Sequence, residues 1–458
     1  MMSSSTKVPQ VCIVGAGPAG FYAAMRLTKN LANVNVDIIE KLPVPFGLIR
    51  YGVAPDHPEV KNVINQFTKV AQQKNVNFYG NITLGKDITL SQLRQHYDAV
   101  LLTYGAEEDK MLGIPNEDAK NVIAARHFVG WYNGLPRDSD LKIDLSGNTA
   151  AILGQGNVAL DVARILLSPI DELKKTDITQ HALDAIAESN IKNVYLVGRR
   201  GPLQVAFTIK ELREQLKMKD CSTIWRESDF MGVADVVASL PRPRKRLTEL
   251  MLKSLEENRL VKDNKNSKRL YPIFLRSPKK FIIDKDNVVK GIELYENTLY
   301  GKGSIEEQLY TSTDEVEYLD CSLAFRSIGY KSVCVDQSLD FLPQGIVNND
   351  KGRIMDDDPQ LAKMYVAGWL GTGPDGVILH TMGNAFQVAK TICDDINKVN
   401  DSNAKGGFEE LKKELTSAIV DWEGWNKIDR YEIEQGMKVG KPREKICNIA
   451  KMIEVAHS

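Results

Sequence analysis

Apolar positions along the chain fall into short unbroken runs, and the most distinctive of them stop at a glycine-rich turn. Val11-Cys-Ile-Val14 reads as a buried strand and runs straight into Gly15-Ala-Gly-Pro-Ala-Gly20. Phe21 to Leu31 then has helical spacing, and Val36-Asp-Ile-Ile-Glu40 reads as the next strand, so the chain opens on a βαβ unit. Pro43 to Pro58 reads as a loop, a polar helix follows from Glu59, and strands are expected near Val76–Tyr79 and from Asp98.

The same pattern returns once. Thr149-Ala-Ala-Ile-Leu153 predicts a strand, Gly154 to Ala159 its turn, Leu160 to Leu167 a helix, and Val194 to Val197 the second strand. Ser168 to Asn193 between them reads as a long spacer. Leu247, Leu250, Met251 and Leu255 share a helix face entered through Pro241 to Arg246. Gly301 to Asp320 is polar and acidic and reads as a surface excursion. Tyr365 to Gly368 predicts a strand, Gly371 to Gly376 a glycine loop, and Val377 to Ile396 a helix. Lys398 to Gly407 reads as a connection, and the last fifty residues as charged helix. The repetition is of two dinucleotide folds, not of a solenoid unit.

Composition narrows the function. At about 150 residues per domain, 458 residues suggest about three units or two larger ones. With 43% apolar and 26% charged residues the chain can build large cores, which excludes wholesale disorder and a fibrous architecture. A net charge of −1 excludes a global basic field for nucleic acid, so an electrostatic partner needs a local patch. Cys12, Cys221, Cys321, Cys334, Cys393 and Cys447 form no CxxC pair. That argues against a metal site, an iron–sulfur cluster or a redox disulfide in the chain. No apolar stretch is long enough for a membrane-spanning helix. Met1 to Gln10 reads as neither a secretory signal nor a full mitochondrial presequence.

The two glycine loops carry the chemistry. In Gly15-x-Gly17-x-x-Gly20 the first glycine makes the turn, the second lets backbone approach a pyrophosphate, and the third lets helix pack on strand. Glu40, ending the next strand, can accept from both ribose hydroxyls and repels a 2′-phosphate. Gly154-x-Gly156-x-x-Ala159 repeats the device, but its second strand ends in Arg199-Arg200. Two guanidiniums there can clamp a 2′-phosphate. One motif alone cannot choose between FAD and NAD. Two motifs of opposite charge imply FAD at the first and NADP at the second, with hydride passing between nicotinamide and flavin. Gly368-Trp-Leu-Gly-Thr-Gly-Pro-Asp-Gly-Val-Ile378 precedes a helix and suits the flavin ring, with Trp369 lying against flavin or nicotinamide. Because it follows the NADP unit, the FAD fold would be split around it.

Several strings resemble the adrenodoxin reductase family of mitochondrial NADPH–ferredoxin reductases. They are Val14 to Tyr22, Pro45 to Pro58, Gly154 to Arg164, Gly198 to Arg213, Pro241 to Arg246 and Lys441 to Lys445, spanning almost the whole chain. The resemblance implies an α/β fold of two Rossmann-like domains, the NADP domain inserted into a split FAD domain. The boundaries expected are 1–108, 109–332 and 333–458, the last with a helical extension. The resemblance further implies FAD contacts at Ala19, Glu40, Leu48, Leu84, Trp369, Gly376, Val377 and Ile378. It implies NADP contacts at Gln155, Asn157, Val158, Arg199, Arg200, Glu211 and Gly376. His57 and Asp161 match a polar pair linking the two domains near the flavin.

Arg242, Arg244, Lys245 and Arg246 make a dense positive patch, and Arg242 and Arg246 share a helix face at i, i+4. The resemblance makes those two the expected contacts of an acidic 2Fe–2S ferredoxin. It also implies a monomer in the mitochondrial matrix and leaves a peripheral inner-membrane association open. One departure stands out: the family's two basic residues in the flavin loop are missing at Leu370-Gly371-Thr372. A related flavoprotein of the glutamate synthase small-subunit type would share the two folds, but its cysteine-rich cluster sites have no counterpart in the spacing here.

Overall fold

In the computed structural model the described residues are 7–258, 268–301, 305–355, 361–374, 378–398 and 404–458. The chain divides into two compact units, residues 1–108 with 329–458, and residues 109–328.

In the first unit the predicted runs become five parallel strands in the order Lys363–Val366, Ala99–Leu102, Gln10–Val14, Asn35–Glu40 and Val76–Gly80. Val11 to Val14 and Ala99 to Leu102 are buried throughout, as strands covered on both faces must be. Helices Pro18–Asn30 and Ile378–Ile396 pack together. Near the C-terminus, helices Trp422–Lys438 and Ile449–His457 also pack together, the first capped by Asp421, whose side chain accepts from Gly424 N.

The second unit holds six parallel strands, ordered Val122–Ala124, Leu323–Arg326, Thr149–Leu153, Asn193–Val197, Lys268–Ile273 and Cys221–Thr223. Beside them lies an antiparallel sheet of Arg276–Ile283, Val289–Tyr300 and Leu309–Asp320.

The structure corrects several expectations. Within Gly301 to Asp320, expected as a surface excursion, Leu309–Asp320 is a twelve-residue edge strand. Its polar residues are those of a mostly solvated strand, with Leu319 alone buried among its residues. Ser168 to Asn193 contains helices Ile170–Leu173 and Gln180–Ala187, which send Leu173, Ala182, Leu183 and Ile186 into the unit's core. The loop Pro43 to Pro58 holds a helical turn, Leu48–Tyr51, and the start of the glycine loop is another, Trp369–Thr372. Among the described residues no helix is long and apolar enough to cross a membrane.

Candidate functional site

The first glycine loop leaves strand Gln10–Val14 between Ala99–Leu102 and Asn35–Glu40. Strand order reverses there, which opens a crevice at the carboxyl ends of the strands. Gly15 has φ +111°, and a Cβ on it would lie 2.7 Å from the Thr103 carbonyl oxygen. A Cβ on Gly20 would lie 2.2 Å from the Gly15 oxygen. Both positions therefore exclude a side chain. Gly17 is different: a Cβ there meets nothing within 4 Å. Gly17 is also the N-cap of Pro18–Asn30, and no side chain caps that helix. An open cradle at an uncapped helix N-terminus fits a pyrophosphate.

Glu40, ending strand Asn35–Glu40, closes one side of the cradle. Its two carboxylate oxygens accept from Ala16 N at 2.9 Å and Leu42 N at 3.1 Å. Burial pushes its carboxyl up from the usual range, against those two donors. Opposite stands the Pro45–Pro58 segment. Phe46 adopts φ 82°, rare for a bulky residue, and its N–H donates to Ala16 O at 2.8 Å. Its ring is fixed by Phe21 and Trp425, with centroids 5.5 and 5.7 Å away. This brings Gly47 over the cradle, where its Cβ position is 3.1 Å from Gly17 Cα. Leu48, half-buried, follows at the start of its helical turn.

Gly368 has φ +67°, and a Cβ there would lie 2.7 Å from the Ala19 Cβ. Its N–H donates to Asn384 Oδ1 at 2.7 Å, a contact that no motif announced. Trp369 is half-buried and tilts against Tyr330 at 5.7 Å. Leu84 is buried in the core cluster with Leu102 and Val366. Ile378 begins a helix, whereas Gly376 and Val377 lie outside the described residues. Leu370, the first residue of the departing triplet, is fully buried, and Gly371 has Val366 Cγ1 3.1 Å from its Cβ position.

The second unit repeats the cradle with the charge reversed. Gly154 has φ +130°, and a Cβ there would lie 2.0 Å from Ser327 O, while Gly156 again faces open space. Gly156 is the N-cap of Asn157–Leu167, and again no side chain caps the helix. Gly15 N donates to Ile39 O at 2.7 Å, and Gly154 N to Val197 O at 2.9 Å, so the two turns are built alike. Gln155 ties the ends of two strands, donating to Leu196 O and Ile273 O at 3.0 Å each. Asn157 Oδ1 accepts from Thr208 N at 2.9 Å, and Val158 follows half-buried on the first helical turn.

Where the first cradle has Glu40, this one has cations. Arg199 is exposed and Arg200 half-buried. Burial lowers the pKa of the Arg200 guanidinium, and the positive charges of Arg199 and Arg244 lower it further. Three guanidiniums that repel one another favour a multiply charged anion. In the sequence Arg244 reads as part of the positive patch, not as a neighbour of the Arg199–Arg200 pair. It donates to Val205 O at 2.8 Å from the first turn of helix Arg242–Asn258. Arg242 and Arg246, at i, i+4 on that helix, are exposed.

Glu211 and Asp161 are brought together by a residue that sequence reasoning missed. Buried Arg164 spans them, 2.9 Å from Glu211 Oε2 and 2.6 Å from Asp161 Oδ1. Asp161 and Arg164 are one helical turn apart, a signal visible in the sequence; the link to Glu211 was not. His57 belongs to the other unit, where it is buried as the N-cap residue of Pro58–Lys61.

Comparison with known proteins gives these cradles a family. Residues 9–218 match the pyridine nucleotide-disulphide oxidoreductase family model. The chain is 52% identical over 462 residues to a Drosophila melanogaster protein named NADPH:adrenodoxin oxidoreductase, mitochondrial, covering 100% of this chain and 95% of that one. The human protein of that name is 45% identical, with 99% and 93% covered. The solved structure of Mycobacterium tuberculosis FprA in complex with NADPH has a TM-score of 0.92 at 34% identity, over 98% of this chain and 100% of that one. With such identity sustained from end to end, the chain belongs to the NADPH:adrenodoxin oxidoreductase family.

Proposed function

We propose that the chain is an FAD-dependent NADPH:ferredoxin reductase, with FAD in the first unit and NADPH in the second. The observation that carries this assignment is the reversal of charge between two cradles of like construction, Glu40 on one and Arg199, Arg200 and Arg244 around the other. Bound FAD supplies the chemistry of accepting a hydride from NADPH and giving up electrons one at a time to an iron–sulfur protein. The chain's own work is to bind and orient. Gly17 and Gly156 leave room for pyrophosphates at two uncapped helix N-termini. Ala19, Leu48, Leu84, Trp369 and the segment Gly376 to Ile378 are assigned to FAD. Gln155 to Val158, Glu211 and Gly376 are assigned to NADPH. His57 and Asp161 serve as a polar pair near the flavin, and no side-chain nucleophile takes part.

Mixing the purified protein with NADPH or NADH in a stopped-flow instrument, then adding a 2Fe–2S ferredoxin, tests the assignment. Flavin bleaching should be much faster with NADPH, and ferredoxin should restore the colour. A colourless protein, or equal rates with both nucleotides, would sink it.

Gly17→Ala separates the cradle from the fold. Gly17 has φ −86°, which any residue adopts, and the new methyl has room. The variant should fold with secondary structure and melting behaviour near wild type yet purify with far less flavin. Full flavin content would show that no pyrophosphate approaches Gly17.

Arg242 and Arg246 are assigned to an acidic ferredoxin, steering encounter more than final affinity. Arg242→Glu with Arg246→Glu should slow ferredoxin-dependent cytochrome c reduction by at least about tenfold and spare ferricyanide reduction. Equal losses in both assays would remove the docking assignment. The mitochondrial names of the relatives support a matrix protein, and the family resemblance is the support for a monomer.

A further inference from the structure

We propose that the antiparallel sheet of the second unit sets nucleotide specificity, with Asn297 and Tyr310 as positioning residues for the Arg199–Arg200 fork. The inference rests on assigning that fork to the 2′-phosphate.

Arg199 and Arg200 sit on a loop, and an exposed arginine on a loop is a poor clamp unless something holds it. Fixing a free side chain costs entropy on every binding event, and holding it in place beforehand removes that cost. The neighbouring sheet supplies two such holds. The first is on the backbone. Asn297 is only 2% exposed, and its side-chain amide is fully engaged. Its Nδ2 donates to Arg199 O at 2.8 Å and to Ser277 Oγ at 2.6 Å, and its Oδ1 accepts from Ser312 Oγ at 2.9 Å. Asn297 also donates its own N–H to Leu275 O at 2.8 Å, while Leu275 N donates to Arg200 O at 3.1 Å. Backbone carbonyls of both arginines are therefore held by the sheet or by the turn leading into it. A break of register in the pairing between Tyr295 and Asn297 sits at this point. Such irregularities re-aim a side chain.

The second hold is on the guanidinium. Arg199 Cζ lies 5.3 Å from the centroid of the Tyr310 ring. Tyr310 is half-buried on the edge strand and pairs with Leu299 on the central one. An aromatic face attracts a cation without neutralising it, so Arg199 keeps its full charge for an anion. An acidic side chain in that place would hold Arg199 equally well and cancel its use.

Titration calorimetry on the purified holoenzyme reads the effect without turnover, using 2′,5′-ADP and its counterpart lacking the 2′-phosphate, 5′-ADP. Tyr310→Leu should weaken 2′,5′-ADP by about two- to fivefold and leave 5′-ADP unchanged, while Tyr310→Phe binds as wild type. In an Arg199→Ala background Tyr310→Leu should add nothing. Asn297→Asp turns a donor facing Arg199 O into an acceptor and should cost about tenfold in 2′,5′-ADP affinity. Ser312→Ala should move the same way by less, and decides the matter if Asn297→Asp does not fold. Equal weakening of both ligands by Tyr310→Leu, or additivity with Arg199→Ala, would overturn the proposal while leaving the phosphate assignment standing. Undiminished discrimination in Arg199→Ala with Arg200→Ala would remove the assignment, and the proposal with it.

Discussion

Replacing Arg199 and Arg200 together with alanine should raise the KM for NADPH by about two orders of magnitude and leave that for NADH within about twofold. The size follows from what the pair faces. On the proposed assignment each guanidinium would contribute charge-assisted hydrogen bonds to the 2′-phosphate, and the pair already carries mutual repulsion. Arg199 and Arg244 lower the pKa of Arg200, which burial has lowered already. An incoming 2′-phosphate relieves that repulsion as well as forming bonds. Arg244 remains in the double variant, so some preference for NADPH should survive. Arg244→Ala in addition should remove most of it. A phosphate monoester loses its second proton near pH ~6, so the wild-type preference should grow as pH rises through that value. Steady-state kinetics with both nucleotides across that range checks all three statements. An unchanged NADPH/NADH ratio in the double variant would show that the fork reads something else.

How much of this was legible in the chain depends on the range of each interaction. Strands such as Val11 to Val14 declare themselves because burial on both faces forbids polar residues, and the glycine turns because backbone contacts exclude a Cβ at Gly15, Gly20 and Gly154. The charge contrast between Glu40 and Arg199-Arg200 is local to strand ends and could be read directly. The antiparallel sheet could not. Leu309–Asp320 is a solvated edge with one buried residue, so its polarity looks like that of a loop. The supports of the site were hidden for another reason. Asn297 and Arg199 are 98 residues apart, and Arg164 and Glu211 are 47 apart, with no periodicity joining them. Most residues assigned to ligands lie in motifs, whereas long-range contacts such as Asn297 to Arg199 and Arg164 to Glu211 appear only in the folded chain.

Glu432→Ala should destabilise the protein by about 3–5 kcal/mol, more than any surface substitution. Glu432 is fully buried on helix Trp422–Lys438, and Arg50, also buried, reaches it at 2.5 Å. Arg443 Nη1 lies 3.2 Å from its other oxygen, Oε2, and Ile446 N donates at 2.9 Å to Oε1, the oxygen Arg50 meets. The carboxylate raises the pKa of Arg50 above its ordinary value, although burial acts to lower it. Removing Glu432 leaves Arg50 charged among Tyr51 and Trp425, whose rings lie 5.0 and 5.3 Å away, without the carboxylate it pairs with. Circular dichroism should show a melting midpoint lower by roughly 10 °C. Glu432→Gln, which keeps the shape and an acceptor but not the charge, should lie between. The consequence reaches the first cradle, because Arg50 stands in the segment that carries Phe46 and Gly47 over Gly17. A loosened segment ought therefore to shed flavin at temperatures below the melt. If Glu432→Ala melts like wild type, the buried pair does not anchor that segment, and the left-handed conformation of Phe46 is held by its aromatic neighbours and its hydrogen bond to Ala16 O.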